Sequence, residues 1–365
     1  MVAVRVPGTL LPALGSADTN QGYPRQDFDM ARIETYAGEM KNEIAQLADS
    51  YEFRPYFYVS AAASEALQTV FRNRVAKFLA FAREQPDKAV FILARDEKSR
   101  LKGFAAAEIL DFDTKILRIP SGRIPFCVVG SSARESYPTS RPIADALMGA
   151  ALGWLRNERV VFTTLRTAAP ELPVIHAAEA SGFRLIDNGI TALFHKDCFT
   201  NFQQEGYDIR LFEYRDLDTI LEITRDAFIQ DRFHLDPRIP YETAEEFKQL
   251  WVRRCCTQPR DQEWVLVAER KGLVKGYFQY EYNREFSEAT GIGLHDYGPA
   301  AVARDRSALG AYYALLSYAV ADSVRRGAPY AMTRVPFGIQ PILKLTLRLG
   351  PAFMTNDLTF HHWRG

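Results

Sequence analysis

Residues 263–280 read EWVLVAERKGLVKGYFQY, and residues 89–110 read AVFILARDEKSRLKGFAAAEIL. Each segment consists of two apolar, strand-like runs joined by a charged turn, which predicts a β-hairpin. After each hairpin the chain continues with the same order of elements, namely strand, helix, strand, helix and strand. This order predicts an internal repeat of about 160 to 180 residues, which is too long for a solenoid of short units.

The repeat divides the 365-residue chain into two similar halves, and the alternation of strands and helices predicts an α/β fold. We place the boundary in residues 198–206 (CFTNFQQEG), a polar segment that ends in glycine and leads into a new strand. The prediction is an N-terminal extension over residues 1–44, a first domain over 45–205 and a second domain over 206–365. Residues 32–47 have the pattern of a helix.

Composition narrows the class of protein. Apolar residues make up 47% and charged residues 25%, which excludes disordered and collagen-like chains. Lys plus Arg and Asp plus Glu each number 45, and this balance weighs against a nucleic-acid or membrane-surface partner. The longest mostly apolar stretch, residues 308–321, is too short to span a bilayer. The four cysteines lack disulfide-framework spacing and the N-terminus lacks a signal-peptide core, so we expect a cytoplasmic protein.

This organisation resembles a tandem GNAT-superfamily acyltransferase, and the resemblance covers residues 45–200 and 206–365. In that superfamily a mixed sheet splays between its fourth and fifth strands. Acyl-coenzyme A binds in the gap, with its pyrophosphate at the helix that follows the fourth strand. A helix N-terminus offers free NH groups and a favourable dipole to phosphate oxygens. The resemblance implies two GNAT-like domains, each a mixed, splayed sheet flanked by helices.

Within the superfamily the chain is most similar to the dTDP-fucosamine acetyltransferase group, whose members pair a GNAT-like N-terminal half with a catalytic half. Three segments carry this likeness: residues 231–251 (DRFHLDPRIPYETAEEFKQLW), 179–187 (EASGFRLID) and 358–363 (LTFHHW). The likeness implies acetyl-CoA or another acyl-CoA as donor substrate. It implies a small amine as acceptor, with a nucleotide-linked amino sugar as one candidate, and no metal.

The superfamily's phosphate loop has the pattern Arg/Gln-x-x-Gly-x-Gly/Ala. When the second half is aligned on the glycine of this pattern, Ser307 takes the first defined position, Gly310 the second and Tyr312 the third. An alignment that starts at Arg306 restores the basic first residue but loses the glycine at the second position. A tyrosine at the third position crowds the phosphates unless its side chain turns away, because this position works by having almost no side chain. The candidate cofactor-binding residues are Val302, Arg306, Ser307, Gly310 and Ala311.

The equivalent stretch of the first half, residues 136–147 (SYPTSRPIADAL), contains no glycine. A proline at a helix start removes an N–H that has no intrahelical partner, so the helix is predicted to form while the phosphate cradle is lost. Because sites rather than folds carry function, we expect the first domain to be a degenerate structural copy and the second to hold the active site.

Acyl transfer from a thioester to an amine needs a base for the ammonium, a donor for the carbonyl oxygen and an acid for the thiolate. By the resemblance, the donor is a backbone NH close to residues 301–303. The candidate catalytic residues are His295, Tyr297 and Glu281. Each has a structural alternative: a hydrogen-bonded core histidine, a packed tyrosine or a solvated strand-end acid. Asp296 either orients an imidazole or faces water.

The candidate substrate-binding residues are Arg232, His234 and Tyr280. An arginine offers a planar fork to a carboxylate or phosphate, although Phe233 could instead dock this segment and leave its polar neighbours at the surface. Tyr280 belongs to an aromatic strand face that either walls a pocket or packs in the core.

Three functions remain open at this point. The favoured one is an N-acyltransferase that moves an acyl group from acyl-CoA to a small amine. A second is a GNAT-fold transferase that uses an acyl carrier protein or an aminoacyl-tRNA as donor, which relaxes the need for a phosphate loop. The third is a non-catalytic GNAT-derived binding protein. No metal site is predicted at His361 and His362, because adjacent strand residues point to opposite faces.

Overall fold

A computed structural model describes residues 31–130, 136–199, 206–225, 227–308 and 310–364. Residues 1–30 of the expected extension, residues 200–205 of the expected boundary and Leu309 lie outside the described residues.

The described strands form one mixed sheet of twelve strands. The first half contributes β1 (Arg32–Thr35), β2 (Ala89–Arg95), β3 (Leu101–Ile109), β4 (Ser121–Val129), β5 (Phe162–Ala168) and β6 (Arg184–His195). The second half contributes β7 (Asp208–Leu211), β8 (Glu263–Arg270), β9 (Leu273–Tyr282), β10 (Leu294–Val302), β11 (Tyr330–Pro336) and β12 (Phe353–Trp363). The two predicted hairpins are β2–β3 and β8–β9, and both are confirmed.

The helices repeat in the same order as the strands. The first half has α1 (Asn42–Ser50), α2 (Ser64–Glu84), α3 (Asp111–Leu117), α4 (Tyr137–Asn157) and α5 (Leu172–Ala180). The second half has α6 (Leu217–Thr224), α7 (Tyr241–Thr257), α8 (Arg284–Thr290), α9 (Ala311–Arg325) and α10 (Gln340–Arg348). The order of elements repeats as predicted, except that each half has one further short helix after its hairpin, α3 in the first and α8 in the second. None of the described helices is long and apolar enough to cross a membrane.

The start of the first half differs from the prediction. Residues 32–47 were expected to form one helix, but the chain forms β1 first, with Arg32 opposite Arg95 and Thr35 opposite Ile92. Helix α1 follows after a break. The pattern of residues 32–47 alone could not reveal β1, because pairing with the edge of β2 decides its conformation. The sheet therefore begins inside the segment that we assigned to the N-terminal extension.

The strand order is β1-β2-β3-β4-β5-β12-β6-β11-β10-β9-β8-β7. The last strand of each half has crossed to the other half: β12 pairs with β5, and β6 pairs with β11, both antiparallel. β6 and β12 also pair with each other at the centre of the sheet. The two halves thus share one continuous sheet with exchanged final strands.

Helices cover both faces of this sheet. Leu358 and Phe360 of β12 pack into the core under α4 and α5, and Met354 of the same strand packs into the core under α9 and α10. These three residues share one face because side chains alternate along a strand. We call it the α4/α9 face. The opposite face, covered by α1, α2, α6 and α7, is the α2/α7 face.

Each half contains one short parallel pair from which the sheet opens. β4 runs parallel to β5 over Ser121 to Ile124, and β10 runs parallel to β11 over Leu294 to Tyr297. Beyond these points β4 and β10 continue without pairing to the neighbouring parallel strand. We call the space between β4 and β5 the first gap and the space between β10 and β11 the second gap.

Candidate functional site

The second gap begins at a β-bulge in β10. The register of β10 on β9 shifts between Tyr297 and Ala300, so Gly298 and Pro299 together face the single residue Gln279. A Cβ atom on Gly298 would lie 1.6 Å from Gln279 Oε1, so a larger residue there would displace the buried Gln279 side chain. Proline suits a bulge because it has no N–H to donate to a ladder. The bulge bends β10 away from regular pairing.

Backbone amides of β10 beyond the bulge face the second gap. The amide of Ala303 donates to the carbonyl of Lys275 at 2.9 Å, on the β9 side. Amides alternate in direction along a strand, so those of Ala300 and Val302 point away from β9 and towards the gap. Two hydrogen-bond donors are therefore aimed into the space where the strands part.

A cavity of about 550 Å³ lies at the end of this gap, between the start of α9 and α10. Three cations, Arg304, Lys344 and Arg348, are among its lining residues. Gly310 precedes α9 with a φ of 89°, a left-handed conformation that favours glycine. The first NH groups of a helix have no acceptor within it and, with the helix dipole, favour an anion. The cavity thus combines three cations with a helix N-terminus.

Only some of the candidate cofactor-binding residues lie at the cavity. Val302 and Gly310 line the cavity, and Ala311 is the buried first residue of α9. Arg306 and Ser307 lie in a short 3-10 turn and are not among the residues that line it. The backbone amide of Ser307 donates to a neighbouring aspartate at 2.7 Å, so this amide is already engaged within its own loop.

Tyr312, at the third position of the phosphate-loop pattern, turns towards the core. Its ring packs edge-on against Phe278, with ring centroids 6.0 Å apart, and burial raises the pKa of its hydroxyl to about 12. Tyr312 nevertheless remains among the residues that line the cavity, so its ring borders the space at the start of α9.

Two candidate bases, His295 and Tyr297, lie in the core between the sheet and α9. His295 is fully buried, its Nδ1 is 2.6 Å from Ser323 Oγ, and its Nε2 has no partner among the described residues. Burial and the charge of Arg326 lower the pKa of His295 to about 4, so its ring is neutral at neutral pH. The hydroxyl of Tyr297 lies 3.3 Å from the same Ser323 oxygen, and burial raises its pKa.

Tyr280, a candidate substrate-binding residue, belongs to the same core. Its hydroxyl donates to Asp322 on α9, and its ring centroid is 5.4 Å from that of His295. The structure therefore brings three of the candidate site residues together, as a hydrogen-bonded network under α9 rather than along the cavity.

Glu281 lies on the other face of the sheet. It accepts two hydrogen bonds from Arg260, at 2.9 and 3.2 Å, and its side chain is partly exposed. In the register of β9 and β10, Glu281 is directly opposite Asp296. Two carboxylates thus share the α2/α7 face beside the bulge.

Asp296 is the most unusual acid of this region. Burial and the nearby Glu281 charge raise its pKa to about 7. One carboxylate oxygen accepts from Asn283 Nδ2 at 2.8 Å, whereas the other is buried without a partner among the described residues. Asn283 also donates to the hydroxyl of Tyr56 at 2.7 Å, and Arg74 donates to that hydroxyl at 3.1 Å. A carboxyl group with a pKa near neutrality and a free acceptor oxygen is suited to take up a proton.

Sequence reasoning gave Asp296 only a minor role. The available signal was strand alternation, because Asp296 lies between His295 and Tyr297 and must point to the opposite face. Its partner Asn283 is bonded to Tyr56, which accepts from Arg74, and both of these come from the first half, more than 200 residues away in the chain. No local pattern predicts that contact.

Arg232 and His234 lie where the loop before α7 meets the first half. Arg232 donates to Thr164 Oγ1 at 3.2 Å and stacks over Phe233, whose buried ring docks the segment. His234 Nδ1 is 3.1 Å from Asp231, and its Nε2 is 3.0 Å from a second carboxylate. Burial opposes protonation of His234, but the hydrogen bond to Asp231 and the two negative charges outweigh it and raise its pKa. These residues hold the two halves together at this point.

The first gap has the same bulge as the second but is filled by a side chain. Its bulge lies at Ile124 and Pro125. The ring of Tyr51 packs on Phe71, on the α2/α7 face, at 5.3 Å between centroids. Its hydroxyl meets Glu171, which accepts from Thr167 of β5. Tyr51 thus passes through the first gap.

The start of α4 is also occupied. The hydroxyl of Tyr137 lies 2.6 Å from Nδ1 of His176 on α5, and Arg141 donates to the same hydroxyl at 3.5 Å. Side chains therefore bridge α4 and α5 at the position where the second half has its cavity between α9 and α10.

Metal ligation finds no support in the ranges that the structure covers, because no three His, Cys, Asp or Glu side chains there form a group that could hold a metal ion. His361 binds Asp236 at 2.7 Å, while His362 packs near Phe183 on the opposite face.

Comparison with known proteins concerns the fold. Scans of the sequence against family models and against curated proteins give no match. Among solved structures, a GCN5-related N-acetyltransferase from Sphaerobacter thermophilus is 14% identical, with 92% of this chain and 96% of that chain covered and a TM-score of 0.54. A tandem GNAT protein from the clavulanic acid biosynthesis pathway is 16% identical, with 92% and 99% covered and a TM-score of 0.50.

A third similar structure is the GCN5-related glucosamine N-acetyltransferase region of a fungal multi-domain GH3 beta-N-acetylglucosaminidase. It is 13% identical, with 91% of this chain and 38% of that chain covered and a TM-score of 0.55. The resemblance to the dTDP-fucosamine acetyltransferase group stays a prediction. At these identities the likeness defines architecture, and it confirms the predicted fold class: the chain has the fold of a tandem GNAT-superfamily protein, with two GNAT-like halves.

Proposed function

We propose that the protein transfers an acyl group from acyl-coenzyme A to a small amine at the second gap. One observation carries the proposal: the cavity of about 550 Å³ joins a helix N-terminus and three cations to the open edge of β10. The fold shared with GCN5-related N-acetyltransferases supports it.

In this proposal the pyrophosphate of the donor binds at the start of α9. Arg304, Lys344 and Arg348 supply positive charge there, and Gly310 allows close approach of the backbone. Val302 and Ala311 flank the bound chain, while Arg306 and Ser307 support the loop from outside the cavity. Acyl-CoA supplies an activated thioester, and the ring of Tyr312, which packs on Phe278, forms part of the wall of the cavity that receives it.

Asp296 acts as the general base. Its free carboxylate oxygen takes a proton from the ammonium group of the acceptor, and the resulting amine forms a bond to the thioester carbon. The amides of Ala300 and Val302 stabilise the negative charge that develops on the carbonyl oxygen. The carbon–sulfur bond breaks, the attacking nitrogen releases its second proton to water as the amide forms, and the thiolate takes up a proton from that water to leave as the thiol. The first ammonium proton passes from Asp296 to solvent.

The remaining candidate residues act indirectly in this proposal. His295 and Tyr297 hold β10 against α9 through Ser323, and Tyr280 holds β9 against α9 through Asp322. Glu281 keeps the pKa of Asp296 high through its charge, which adds to the effect of burial. Arg232 shapes the junction between the halves.

The acceptor is a small amine, and the sequence resemblance makes a nucleotide-linked amino sugar one candidate. A cytoplasmic location is supported by the cysteines, since Cys127, Cys198, Cys255 and Cys256 are all free thiols.

The test is release of free thiol from acetyl-CoA in the presence of a panel of small amines, including amino sugars. The proposal predicts thiol release that depends on the amine and yields an N-acetylated product by mass spectrometry. Binding of acetyl-CoA without turnover of any amine would instead favour a non-catalytic binding protein, and absence of both binding and turnover would overturn the proposal.

A further inference from the structure

A second polar cluster lies on the α2/α7 face, where the exchanged strands meet. Arg334 of β11 extends across β6 and forks onto Asp357 of β12, with its Nη2 2.7 Å from Oδ1 and its Nε 3.0 Å from both oxygens. It also donates to Asp187 at 3.1 Å. A Cβ atom on Gly189 would lie 2.0 Å from the Arg334 guanidinium carbon, so a larger residue there would displace the Arg334 side chain. Arg334 is therefore engaged through its Nε and Nη2 atoms.

Arg166 of β5 lies beside this pair but is bonded differently. Its Nε is 3.3 Å from Asp357 Oδ1 and 3.4 Å from Thr359 Oγ1. In the part of the chain that the structure describes, its two terminal amino groups have no partner. The side chain is 48% exposed, whereas that of Arg334 is 24% exposed. One edge of a planar guanidinium is thus anchored and the other is presented outward.

The groups around Arg166 are charged. Burial and the charge of Arg334 lower the pKa of Arg166 to about 10, so it stays cationic at neutral pH. The other charged groups that act on it are Arg232, Asp357 and Asp187. Arg232 in turn faces the carboxylates of Asp113 and Asp231.

The cluster at Arg166 is separate from the proposed base. The pairing register runs from Asp296 through Met332 and Arg334 on β11, then across β6 and β12 to Arg166 on β5. That path crosses four strand spacings and runs six residues along the strands, which places the two Cα atoms roughly 28 Å apart. A ligand at Arg166 therefore does not occupy the space beside Asp296.

We propose that the polar cluster at Arg166 binds the carboxylate or phosphate group of a small anionic ligand. The free edge of the Arg166 guanidinium offers two parallel N–H donors, which match either group in a bidentate fashion. The Asp357 and Thr359 anchor holds the fork in place before the ligand arrives. The site is built from both halves, and it does not depend on acyl transfer.

Isothermal titration of the full chain with inorganic phosphate, pyrophosphate and glutarate tests this inference at low ionic strength. The expected result is saturable binding of at least one of the three, weakened at least tenfold in Arg166→Leu. Arg166→Lys, which keeps the charge but not the fork, should bind with intermediate affinity. The matched control Arg100→Leu removes an exposed arginine that pairs with Asp96 at the β2–β3 turn, and it should bind as the unmodified protein does.

Several outcomes of this titration are decisive. Preference for glutarate identifies a carboxylate site, and preference for phosphate or pyrophosphate identifies a phosphate site. No saturable binding of any probe, or equal affinity in Arg166→Leu, would overturn the inference. Binding that survives in Arg166→Leu but is lost in Gly310→Leu would assign the anion to the start of α9 instead. None of these results needs acetyl-CoA, so failure here is distinct from failure of the proposed acyl transfer.

Discussion

The first and second gaps have the same backbone and different contents. Both follow a short parallel strand pair, and both begin at a bulge that contains a proline, Pro125 in one and Pro299 in the other. Tyr51 passes through the first gap to reach Glu171, whereas the second opens into a cavity with three cations. The repeat therefore preserves the strand geometry of a site, while the side chains inserted in the gap and between the two helices beside it decide whether a ligand can enter.

The largest expected effect comes from the acid beside the second gap. Asp296→Asn should lower kcat by about 100- to 1,000-fold, because an amide cannot take the proton of the acceptor. Steady-state kinetics with an amine found by the thiol-release assay measures this loss. The matched control is Glu171→Gln in the first gap, which should leave kcat unchanged. Similar losses of kcat in both variants would contradict the claim that the second gap, and not the first, is the catalytic one.

The second effect concerns donor binding at the start of α9. Gly310→Leu should raise the Kd for acetyl-CoA at least tenfold, because a side chain would enter the space where phosphates approach the helix. Gly327→Leu is matched for backbone strain, since Gly327 also has a positive φ but lies at the far end of α9. Thermal shift at saturating acetyl-CoA should be lost only in Gly310→Leu. Equal shifts in both variants would mean that the donor binds elsewhere.

The third effect is on pH dependence. The proposed base works only when deprotonated, and its pKa is raised to about 7. The value of kcat/KM should therefore rise by about tenfold per unit at acidic pH and bend near pH 7. The residual activity of Asp296→Asn should show no bend there, while Glu171→Gln should keep it. A bend that persists in Asp296→Asn would assign the titration to another group.

The smallest expected effect is a pH-dependent change in the free energy of unfolding that comes from Glu171 in the first gap. Burial raises the pKa of Glu171 from its usual value near 4.5 to about 7. Because the folded state holds the proton more tightly, this stabilisation is complete below pH 4.5 and is lost as pH rises through 7. The free energy of unfolding should fall by about 1 to 3 kcal/mol more between pH 5 and pH 8 in the unmodified protein than in Glu171→Gln. Urea unfolding at both pH values measures the free energy of unfolding. An identical change in that free energy between pH 5 and pH 8 in both proteins would contradict the burial of an ionisable group there.

Much of the fold could be predicted from local patterns. The hairpins at residues 89–110 and 263–280 carry their own turns and alternation, and the order of elements after them repeats. The exchange of β6 and β12 could not be predicted, because it depends on pairings such as Asp357 with Ala168 that join distant segments. β1 was missed for the same reason, since an edge strand is defined by its partner.

The candidate site was predicted only in part. The glycine before α9 and the strand that leads to it carry local signals, and Gly310 and Val302 do line the cavity. His295 and Tyr280 drew attention by residue type, but the structure buries both under α9, and sequence cannot tell which face of a strand meets a helix. Asp296 and Arg166 gain their character from contacts across the two halves, which no spacing in the chain encodes.

The most direct test of the account is the stoichiometry of acetyl-CoA binding to the full chain, measured by isothermal titration. An open second gap and a first gap filled by Tyr51 predict one molecule bound per chain. Tyr51→Ala should leave that stoichiometry at one, because the bridge from Tyr137 to His176 still occupies the start of α4. Two molecules per chain, or none, would contradict the central claim that one copy of the repeat has kept its site and the other has filled it.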